Sequence, residues 1–465
     1  MSAELTQLGA AELARRIRTK EVSPVEVVRA HREREETRGR GLNALVTSFP
    51  DTEERSREAE RSVLRGDSLG PLHGVPCTFK DCFDTAGVRT TRGSALFAER
   101  VPETDAAVVS RLRAAGAIPL AKSNTPEFAL WWETDNLVFG RTANPWNTER
   151  TAGGSSGGEA AAIAAGLSPL GVGSDLGGSI RMPAHYCGIV GLKPTHGRVP
   201  ITGHWPEVLL GFMHAGPLAR TVEDVWLTLA VLEGPDGRDW LAVPAPPLGD
   251  PAAATRSVRV GVLGDRAFGP VDAEVLGRMS AAAATLAGAG YQVVDASIPG
   301  LERNDWNALT MTLYGGGGRA YFRGVIGDRW DELHPRLRQR LSGPAPALDD
   351  YLAAESAVDE LRRDVAAFFE AHELLLCPTS LVPAHPHDAD ELEIAGETCA
   401  PRTSMRATIP FDLTGSPALS VPFGHSADGL PIGVQLVGRR FEDATVLEAG
   451  LVLERARGPL PSPPL

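Results

Sequence analysis

Short apolar runs alternate with helical patterns along most of this chain, from about Gly70 onward. The apolar run at residues 258–263 is followed by a helical pattern over 272–289 and by another apolar run at 291–294. Glycine and proline punctuate the sequence between such segments. Strands that alternate with helices in this way are typical of an α/β fold around a central sheet.

The same patterns predict further elements, of which the helices span residues 105–115, 159–165 and 221–233. The further strands are predicted over 117–121, 170–173, 374–376, 418–421 and 433–437. Gly116 and Gly166 follow two of these helices, which is a common way for a helix to end. Residues 244–251 are rich in proline and alanine and indicate a connection between elements.

The first 68 residues predict a helical arm that packs on a main domain of residues 69–465. Apolar residues recur there at helical spacing, at Leu5, Leu8, Leu13 and Ile17. Further along, the segment 23–26 (SPVE) carries the signature of a capping box: a serine N-cap, a proline in the first turn and a glutamate three residues after the serine.

Charge and cysteine content exclude several classes of protein. With 46 Lys and Arg against 59 Asp and Glu, the 465-residue chain has a formal net charge of −13, which disfavours binding to nucleic acid or to an anionic membrane. Its five cysteines include no C-x2-C pair, which argues against a disulfide framework and a structural zinc site. No apolar run approaches the about 18 residues of a membrane span, and the N-terminus lacks a signal-peptide pattern. We therefore expect a cytoplasmic protein.

A glycine- and serine-rich segment at residues 153–159 (GGSSGGE) opens a predicted helix. It lacks the lysine of a phosphate-binding P-loop, and Leu176 stands where a dinucleotide fingerprint starting at Gly171 would need glycine. Residues 153–157 do fit the G-x-S-x-G pattern, which would make Ser155 the nucleophile of an α/β-hydrolase. That pattern requires an apolar strand before the serine, whereas residues 147–151 are polar and predict a loop.

Two other segments carry residues with chemical potential. A second glycine and serine cluster covers residues 173–183, directly after a predicted strand, and its backbone N–H groups could form an oxyanion hole. Lys80 ends the short apolar segment that starts at Gly74. If desolvated, this lysine would be neutral and could serve as a general base. The alternatives are a turn serine and a surface lysine.

Together these segments resemble the amidase signature family, over nearly the whole chain. The matching segments are residues 74–81 (GVPCTFKD), 139–146 (FGRTANPW), 153–159, 173–183, 187–195 (CGIVGLKPT), 216–224 (GPLARTVED), 413–422 (LTGSPALSVP) and 429–438 (GLPIGVQLVG). Residues 240–400 match least. The resemblance implies a central mixed β-sheet flanked by helices on both faces, with 69–465 as the catalytic domain and 240–400 as its variable specificity region.

The resemblance also implies a catalytic triad in which Ser179 is the nucleophile, Ser155 is a bridging serine after a cis peptide bond, and Lys80 is the base. The amides expected to form the oxyanion hole are those of Leu176, Gly177, Gly178 and Ser179. Ser156 and Arg181 match positions that support the serines. Asp175 would orient the second loop, or would simply be an Asx-turn residue. The scheme uses no metal and no cofactor, and His385 and His387, in a proline-rich segment, are more typical of a polar loop than of a metal site.

The substrate pocket is expected along Ala129, Leu130 and Trp131, by resemblance. Trp131 and Trp132 are bulkier than the residues of simple family members, which favours aryl or apolar substrates unless the rings lie in the core. Residues 314–318 (YGGGG) predict a hinge or mobile loop, or an ordinary solvent-exposed loop, within the specificity region.

The resulting hypothesis is a serine amidohydrolase that acts on a small-molecule amide through an acyl-enzyme, with esters and carbamates as further substrates. One alternative is the amidase component of a glutamine-dependent amidotransferase, its A chain, which usually has glutamine where this chain has Met182 and which works with partner subunits. Asp412 also stands where asparagine is common. The other alternative, an inactive binding homologue, is disfavoured by the intact Lys80, Ser155 and Ser179. A homodimer remains open.

Overall fold

The computed structural model describes residues 2–249 and 258–464. Asp250 and Pro251, at the end of the predicted connection, lie outside the described residues. Across the described residues, every helix is too short or too polar to serve as a membrane span.

Helices and strands alternate through the chain as the sequence predicts. The helices are α1 (Ser2–Leu5), α2 (Ala10–Arg18), α3 (Pro24–Arg34), α4 (Thr52–Arg65), α5 (Ala107–Ala114), α6 (Gly157–Ala164), α7 (Arg181–Cys187), α8 (Val222–Leu232), α9 (Asp265–Phe268), α10 (Ala273–Gly288), α11 (Pro299–Arg303), α12 (Trp306–Ile326), α13 (Pro335–Ser342), α14 (Leu348–Ala371), α15 (Ile409–Thr414) and α16 (Asp443–Arg457). The strands are β1 (Leu45–Ser48), β2 (Pro76–Lys80), β3 (Ile118–Ser123), β4 (Ala143–Asn144), β5 (Asn147–Thr151), β6 (Leu170–Asp175), β7 (Val190–Lys193), β8 (His214–Ala219), β9 (Arg259–Val262), β10 (Gln292–Asp295), β11 (Leu374–Pro378), β12 (Leu392–Ile394), β13 (Glu397–Cys399), β14 (Ala418–His425) and β15 (Pro431–Gly438).

Eleven strands form one mixed sheet in the order β1-β3-β2-β6-β8-β7-β14-β15-β11-β9-β10. The pairs β2–β3, β2–β6, β9–β10 and β9–β11 are parallel. The other pairs in the sheet are antiparallel. Because β2 and β6 are parallel neighbours, their carboxyl ends meet at one edge of the sheet, where Lys80 and Asp175 end the two strands.

Helices cover both faces of this sheet, as predicted. Successive side chains of a strand point to opposite faces, and in β11 Leu374 and Leu376 join one apolar cluster whereas Leu375 and Cys377 join another. The first cluster contains residues of α2, α5, α8, α10 and α16. The second contains residues of α7, α12, α14 and α15. The sheet is therefore buried on both sides, which explains its near-continuous apolar runs.

The helix start signals read from the sequence operate as predicted. The Ser23 hydroxyl accepts a hydrogen bond from the Glu26 amide at 3.1 Å, and the Glu26 carboxylate accepts one from the Ser23 amide at 2.8 Å, so the capping box is complete. Thr221 caps α8 by accepting from the Asp224 amide at 3.1 Å. Each contact satisfies N–H groups that the first turn of a helix leaves without an intrahelical acceptor.

The N-terminal segment is not wholly helical, which differs from the prediction. Residues 45–48 form the edge strand β1, which pairs antiparallel with β3. Four residues of mixed polarity are too few to show a strand period, so the strand depends on the β3 edge that it covers.

The prediction of a hinge or loop at residues 314–318 is wrong, because this segment lies in the middle of the 21-residue helix α12. Glycine weakens an isolated helix, but here it allows close packing. A Cβ added at Gly316 would lie 2.5 Å from a ring carbon of Tyr351 on α14, and one added at Gly317 would lie 2.8 Å from Leu209. Tertiary packing therefore outweighs the low helix propensity of the glycine run.

Two glycine-to-alanine substitutions on α12 should have opposite effects on stability. Gly324 is exposed and a Cβ there would meet nothing within 4 Å, so Gly324→Ala should raise the free energy of unfolding by about 0.5–1 kcal/mol. Gly316→Ala should lower it by about 1–2 kcal/mol, because the new methyl group would overlap Tyr351. Denaturant unfolding of both variants measures the two effects, and equal shifts would contradict the packing argument.

Candidate active site

Lys80 ends β2 and is fully buried. Its Nζ lies 2.6 Å from Ser155 Oγ and 3.0 Å from Ser174 Oγ. Burial lowers the pKa of Lys80 to about 8, because desolvation disfavours the ammonium form. A substantial neutral fraction is therefore present near pH 8, and the neutral amine has a lone pair with which to accept a proton from the Ser155 hydroxyl.

Ser155 follows a cis peptide bond from Gly154, as the resemblance implies. A Cβ on Gly154 would lie 2.7 Å from the Trp131 carbonyl oxygen and 2.8 Å from the Glu133 amide nitrogen. Glycine is thus required for this loop to pack against the backbone of residues 131–133. The preceding residues 147–151 form β5 rather than the predicted loop, but β5 pairs only with β4 in a two-stranded ribbon.

The two serine loops are joined by a direct backbone hydrogen bond. Ser156, the residue that precedes α6, donates its amide to the Ser179 carbonyl at 3.1 Å. Its hydroxyl donates to the Ser174 carbonyl at 3.4 Å. Ser174 also contacts Lys80, so this residue of β6 links the lysine to both loops. The structure thus brings Lys80, Ser155 and Ser179 into one region at the carboxyl ends of β2 and β6.

Asp175 and Arg181 form a buried ion pair across the second loop. Asp175 accepts hydrogen bonds from the amides of Gly178, at 2.5 Å, and Ile180, at 3.0 Å. Arg181 Nε and Nη2 each lie 3.0 Å from the Asp175 carboxylate. Burial alone would raise the pKa of Asp175, but the Arg181 guanidinium holds it well below its usual range. Asp175 is therefore a charged anchor for the turn that carries Ser179, as well as an acceptor for the turn amides.

The four amides predicted for an oxyanion hole are not equivalent. The Gly178 N–H is engaged by Asp175. Within the described residues, the N–H groups of Leu176, Gly177 and Ser179 have no protein acceptor. The loop is held instead through two of its carbonyl groups: Tyr314 OH donates to Leu176 O at 2.6 Å, and Thr408 Oγ1 donates to Gly177 O at 2.8 Å.

A pocket opens directly at Ser179, which is 9% exposed. The predicted residues Ala129, Leu130 and Trp131 line it, together with Trp132. The remaining lining residues are Leu176, Gly177, Leu209, Met311, Tyr314, Gly315, Arg319, Phe322, Arg340, Leu341, Arg402 and Met405. Most of these come from α12, α13 and the turn Pro401–Met405, of which the two helices lie within the variable region.

Trp131 and Trp132 stack on each other with ring centroids 3.9 Å apart and planes at 22°. Both are half-buried, and Trp132 also packs against the second apolar cluster. The Arg336 guanidinium lies 5.5 Å from the Trp131 ring centroid, within the range of a cation–π contact. Both rings thus contribute to the pocket wall, and Trp132 is in addition part of the core.

Several residues that shape the site were not identified from the sequence. Ser174 lies inside a motif whose other members were identified, and a serine on the strand next to Lys80 was the available signal. Tyr314 was assigned to a loop because of the glycines beside it. Thr408 and the pocket arginines carry no motif, so only the folded chain brings them to the site.

The fold and this site can be compared with known proteins. A model of the Amidase family matches residues 26–447. The chain belongs to the amidase signature family. The A chain of glutamyl-tRNA(Gln) amidotransferase from Moorella thermoacetica is 36% identical over 488 residues, which cover 97% of each protein. The family acts on amide C–N bonds.

Two solved structures of similar length resemble this amidase closely. One, described as part of a vestigial protein complex that reveals the evolutionary origins of an s-triazine catabolic enzyme, superposes with a TM-score of 0.90 at 31% identity and covers 97% of this chain and 98% of its own. The other is a bacterial aryl acylamidase of the amidase signature family, with a TM-score of 0.88 at 28% identity, covering 97% and 96%.

Two departures from the common family pattern lie close together in this amidase. Met182 packs in the second apolar cluster. Asp412 Oδ2 accepts from Arg181 Nη2 at 2.7 Å, so it contacts the same guanidinium as Asp175. Burial, reinforced by the Asp175 carboxylate, raises the pKa of Asp412 well above its usual range. A protonated Asp412 is neutral, like the asparagine common at this position.

The lysine predicts a pH dependence for the amidase reaction. If neutral Lys80 is the base, kcat/KM should rise with pH through the lowered pKa of about 8 and level off above it, since the protonated form cannot accept a proton. The profile is to be measured from pH 6 to 10 on a neutral amide. Lys80→Arg, which stays protonated throughout, should lose at least about 100-fold in kcat/KM. A wild-type profile that is flat over this range would contradict the assignment.

Proposed function

We propose that this protein is a serine amidohydrolase that cleaves small-molecule amides through an acyl-enzyme on Ser179, with Ser155 and Lys80 as the proton relay. The observation that carries the proposal is the buried Lys80 amine, 2.6 Å from Ser155 Oγ, in a loop hydrogen-bonded to Ser179 at the base of an open pocket. An inactive homologue would have no reason to keep a desolvated lysine against a serine hydroxyl.

The reaction proceeds in two halves with the proton conserved. Ser179 Oγ attacks the amide carbonyl carbon while its proton passes to Ser155 Oγ and the Ser155 proton passes to neutral Lys80. The proton then returns through Ser155 to the amide nitrogen, the C–N bond breaks and the amine leaves. Water attacks the resulting ester with the same relay as base, and the acid departs as Ser179 regains its proton.

Negative charge on the carbonyl oxygen is stabilised by backbone amides. Of the four that the family resemblance suggests, Gly178 donates to Asp175, so we assign the role to Leu176, Gly177 and Ser179. The carbonyl groups of Leu176 and Gly177 are held by Tyr314 and Thr408, which keeps the loop in place before the charge develops. Loss of one such donor typically costs about 10²–10³ in rate.

The pocket favours substrates with an aryl or apolar body. Its wall includes the stacked Trp131 and Trp132, together with Phe322, Leu341 and Met405. Aromatic rings contribute about 0.5–1.5 kcal/mol beyond burial when they meet another ring. We therefore expect anilides and apolar amides to react faster than acetamide, with aryl esters and carbamates as secondary substrates.

A second candidate function is amide hydrolysis of glutamine, as in the A chain of an amidotransferase. The sequence relatives favour it, because a protein of that name is 36% identical over 97% of both chains. Free glutamine carries an ammonium group as well as a carboxylate. No Asp or Glu is among the described residues that line the pocket, so the ammonium would have no counter-charge there. We expect the chain to act in the cytoplasm without partner subunits, as a monomer or a homodimer.

The nucleophile assignment predicts the site of covalent labelling. A fluorophosphonate should modify Ser179, as mapped by mass spectrometry, and Ser179→Ala should abolish both labelling and turnover. Ser280→Ala, an exposed serine on α10, is the matched control and should behave as wild type. Labelling of Ser155 in the wild-type protein would instead support the G-x-S-x-G alternative.

A substrate panel separates the two candidate functions. Glutamine, acetamide, acetanilide, an apolar 4-nitroanilide, the corresponding ester and a phenyl carbamate are to be compared by kcat/KM. The amidohydrolase proposal predicts at least about tenfold preference for the anilides over glutamine. Efficient release of ammonia from glutamine, with slow turnover of the anilides, would favour the amidotransferase function.

Trp131 should contribute to the preference for aryl amides. Trp131→Ala is expected to reduce the kcat/KM ratio of anilide to small primary amide by about tenfold, since about 1.4 kcal/mol corresponds to a factor of ten. Trp240→Ala is the control, because this tryptophan is 79% exposed and does not line the pocket. An unchanged ratio in a folded Trp131→Ala protein would assign the ring to packing alone.

A further inference from the structure

Three arginines line the pocket that opens at Ser179. Arg319 is on α12, Arg340 is on α13 and Arg402 is in the turn Pro401–Met405. They come from three separate elements, and all three elements lie outside the segments that supply the triad. Such a convergence of positive charge in one pocket is unusual for an amidase that takes only neutral, apolar substrates.

Arg402 is held rigidly although it has no acidic partner among the described residues. Its Nη1 donates to the Asn307 carbonyl at 3.0 Å and its Nη2 donates to Thr310 Oγ1 at 2.9 Å, both on α12. Burial lowers the pKa of Arg402, which reports the cost of keeping this guanidinium away from water. The two neutral acceptors orient the group without neutralising it.

Arg340 is in a more extreme position. The structure gives its guanidinium no hydrogen bond and no ion pair with any described residue. Burial, together with the neighbouring charge of Arg402, lowers the pKa of Arg340 to about 9. A buried arginine is ordinarily paired, because an uncompensated charge in a protein interior is strongly unfavourable. An anionic ligand group would supply the missing partner.

The charge of the pocket contrasts with that of the whole protein. The chain has a formal net charge of −13, yet among the described lining residues there are three arginines and no Asp or Glu. Arg319 donates to the Pro344 carbonyl, so it too is bound to a neutral acceptor. The positive charge therefore faces the pocket without compensation from the pocket walls.

We propose that the amidase acts on amides whose non-reacting end carries a carboxylate, which Arg340 and Arg402 bind while the apolar body lies against the tryptophans. This inference rests on the proposed function and names its substrate class. Guanidinium groups match carboxylates in shape and form charge-assisted hydrogen bonds with them. A zwitterion is disfavoured because its ammonium group would approach the same arginines.

Pairs of substrates of equal shape test the proposal. On the acyl side, glutaryl 4-nitroanilide is compared with 5-methylhexanoyl 4-nitroanilide, in which an isopropyl group replaces the carboxylate. On the amine side, N-acetyl-4-aminobenzoate is compared with N-acetyl-4-isopropylaniline. We expect kcat/KM of the wild-type enzyme to be about 10- to 100-fold higher for the carboxylate member of at least one pair, as one or two hydrogen bonds between charged groups would give.

Substitution of the arginines should remove this preference. Arg340→Gln and Arg402→Gln should each reduce the ratio of carboxylate to neutral substrate about tenfold, mainly through KM, and Arg340→Lys should recover part of it. Because the ratio is taken within one variant, a partly misfolded fraction cancels. Arg323→Gln is the matched control, since Arg323 lies on α12 outside the pocket and contacts the Gly343 carbonyl; it should keep the wild-type ratio.

A binding measurement keeps the proposal testable apart from turnover. Calorimetric titration of the Ser179→Ala protein should show tighter binding of the carboxylate member of the preferred pair. Ratios near one in both pairs, together with equal binding, would overturn the carboxylate inference while leaving the amidase function intact. Absence of Ser179 labelling and of all turnover, with carboxylate-selective binding retained, would instead overturn the proposed function alone.

Discussion

The ion pair between Asp175 and Arg181 is the interaction on which the site depends. Asp175 ends a strand of the sheet and fixes the amides of Gly178 and Ile180, so it sets the backbone on either side of Ser179. Arg181 extends the anchor to other elements by donating to the Thr408 carbonyl and to Gln435 Oε1, both at 2.9 Å. Both charged side chains are fully buried, so loss of either would leave an uncompensated charge in the interior.

Burial controls which groups near this anchor are charged. A second carboxylate on Arg181 would leave excess negative charge, and the raised pKa of Asp412 shows that its proton is retained instead. Burial also lowers the pKa of Lys193 to about 7. The interior beneath the second loop is thus close to neutral overall. Lys80 consequently has no strong negative neighbour to hold it protonated, and desolvation dominates its pKa.

The sequence predicted the central sheet and the triad because both are encoded locally. Strand and helix patterns, the caps at Ser23 and Thr221, and contiguous glycine and serine motifs are visible within a few residues. It failed where distant contacts decide. Strand β1 forms because the β3 edge is available, and the glycines beside Tyr314 are helical because Tyr351 and Leu209 pack on them. The roles of Thr408 and Arg402 depend on parts of the chain that lie far from Ser179 in sequence, which no local pattern connects.

This division between local and distant determinants explains what the relatives transfer to this chain. The relay depends on Lys80, Ser155 and Ser179, which lie in motifs that match the family and whose geometry is set by the sheet. The substrate, by contrast, meets side chains from α12, α13 and the turn Pro401–Met405. A protein 36% identical along its whole length can therefore share the chemistry and differ in the pocket. One acidic side chain among the lining residues would be enough to receive an ammonium group, and its absence among the described ones separates carboxylate-bearing amides from amino-acid amides on electrostatic grounds.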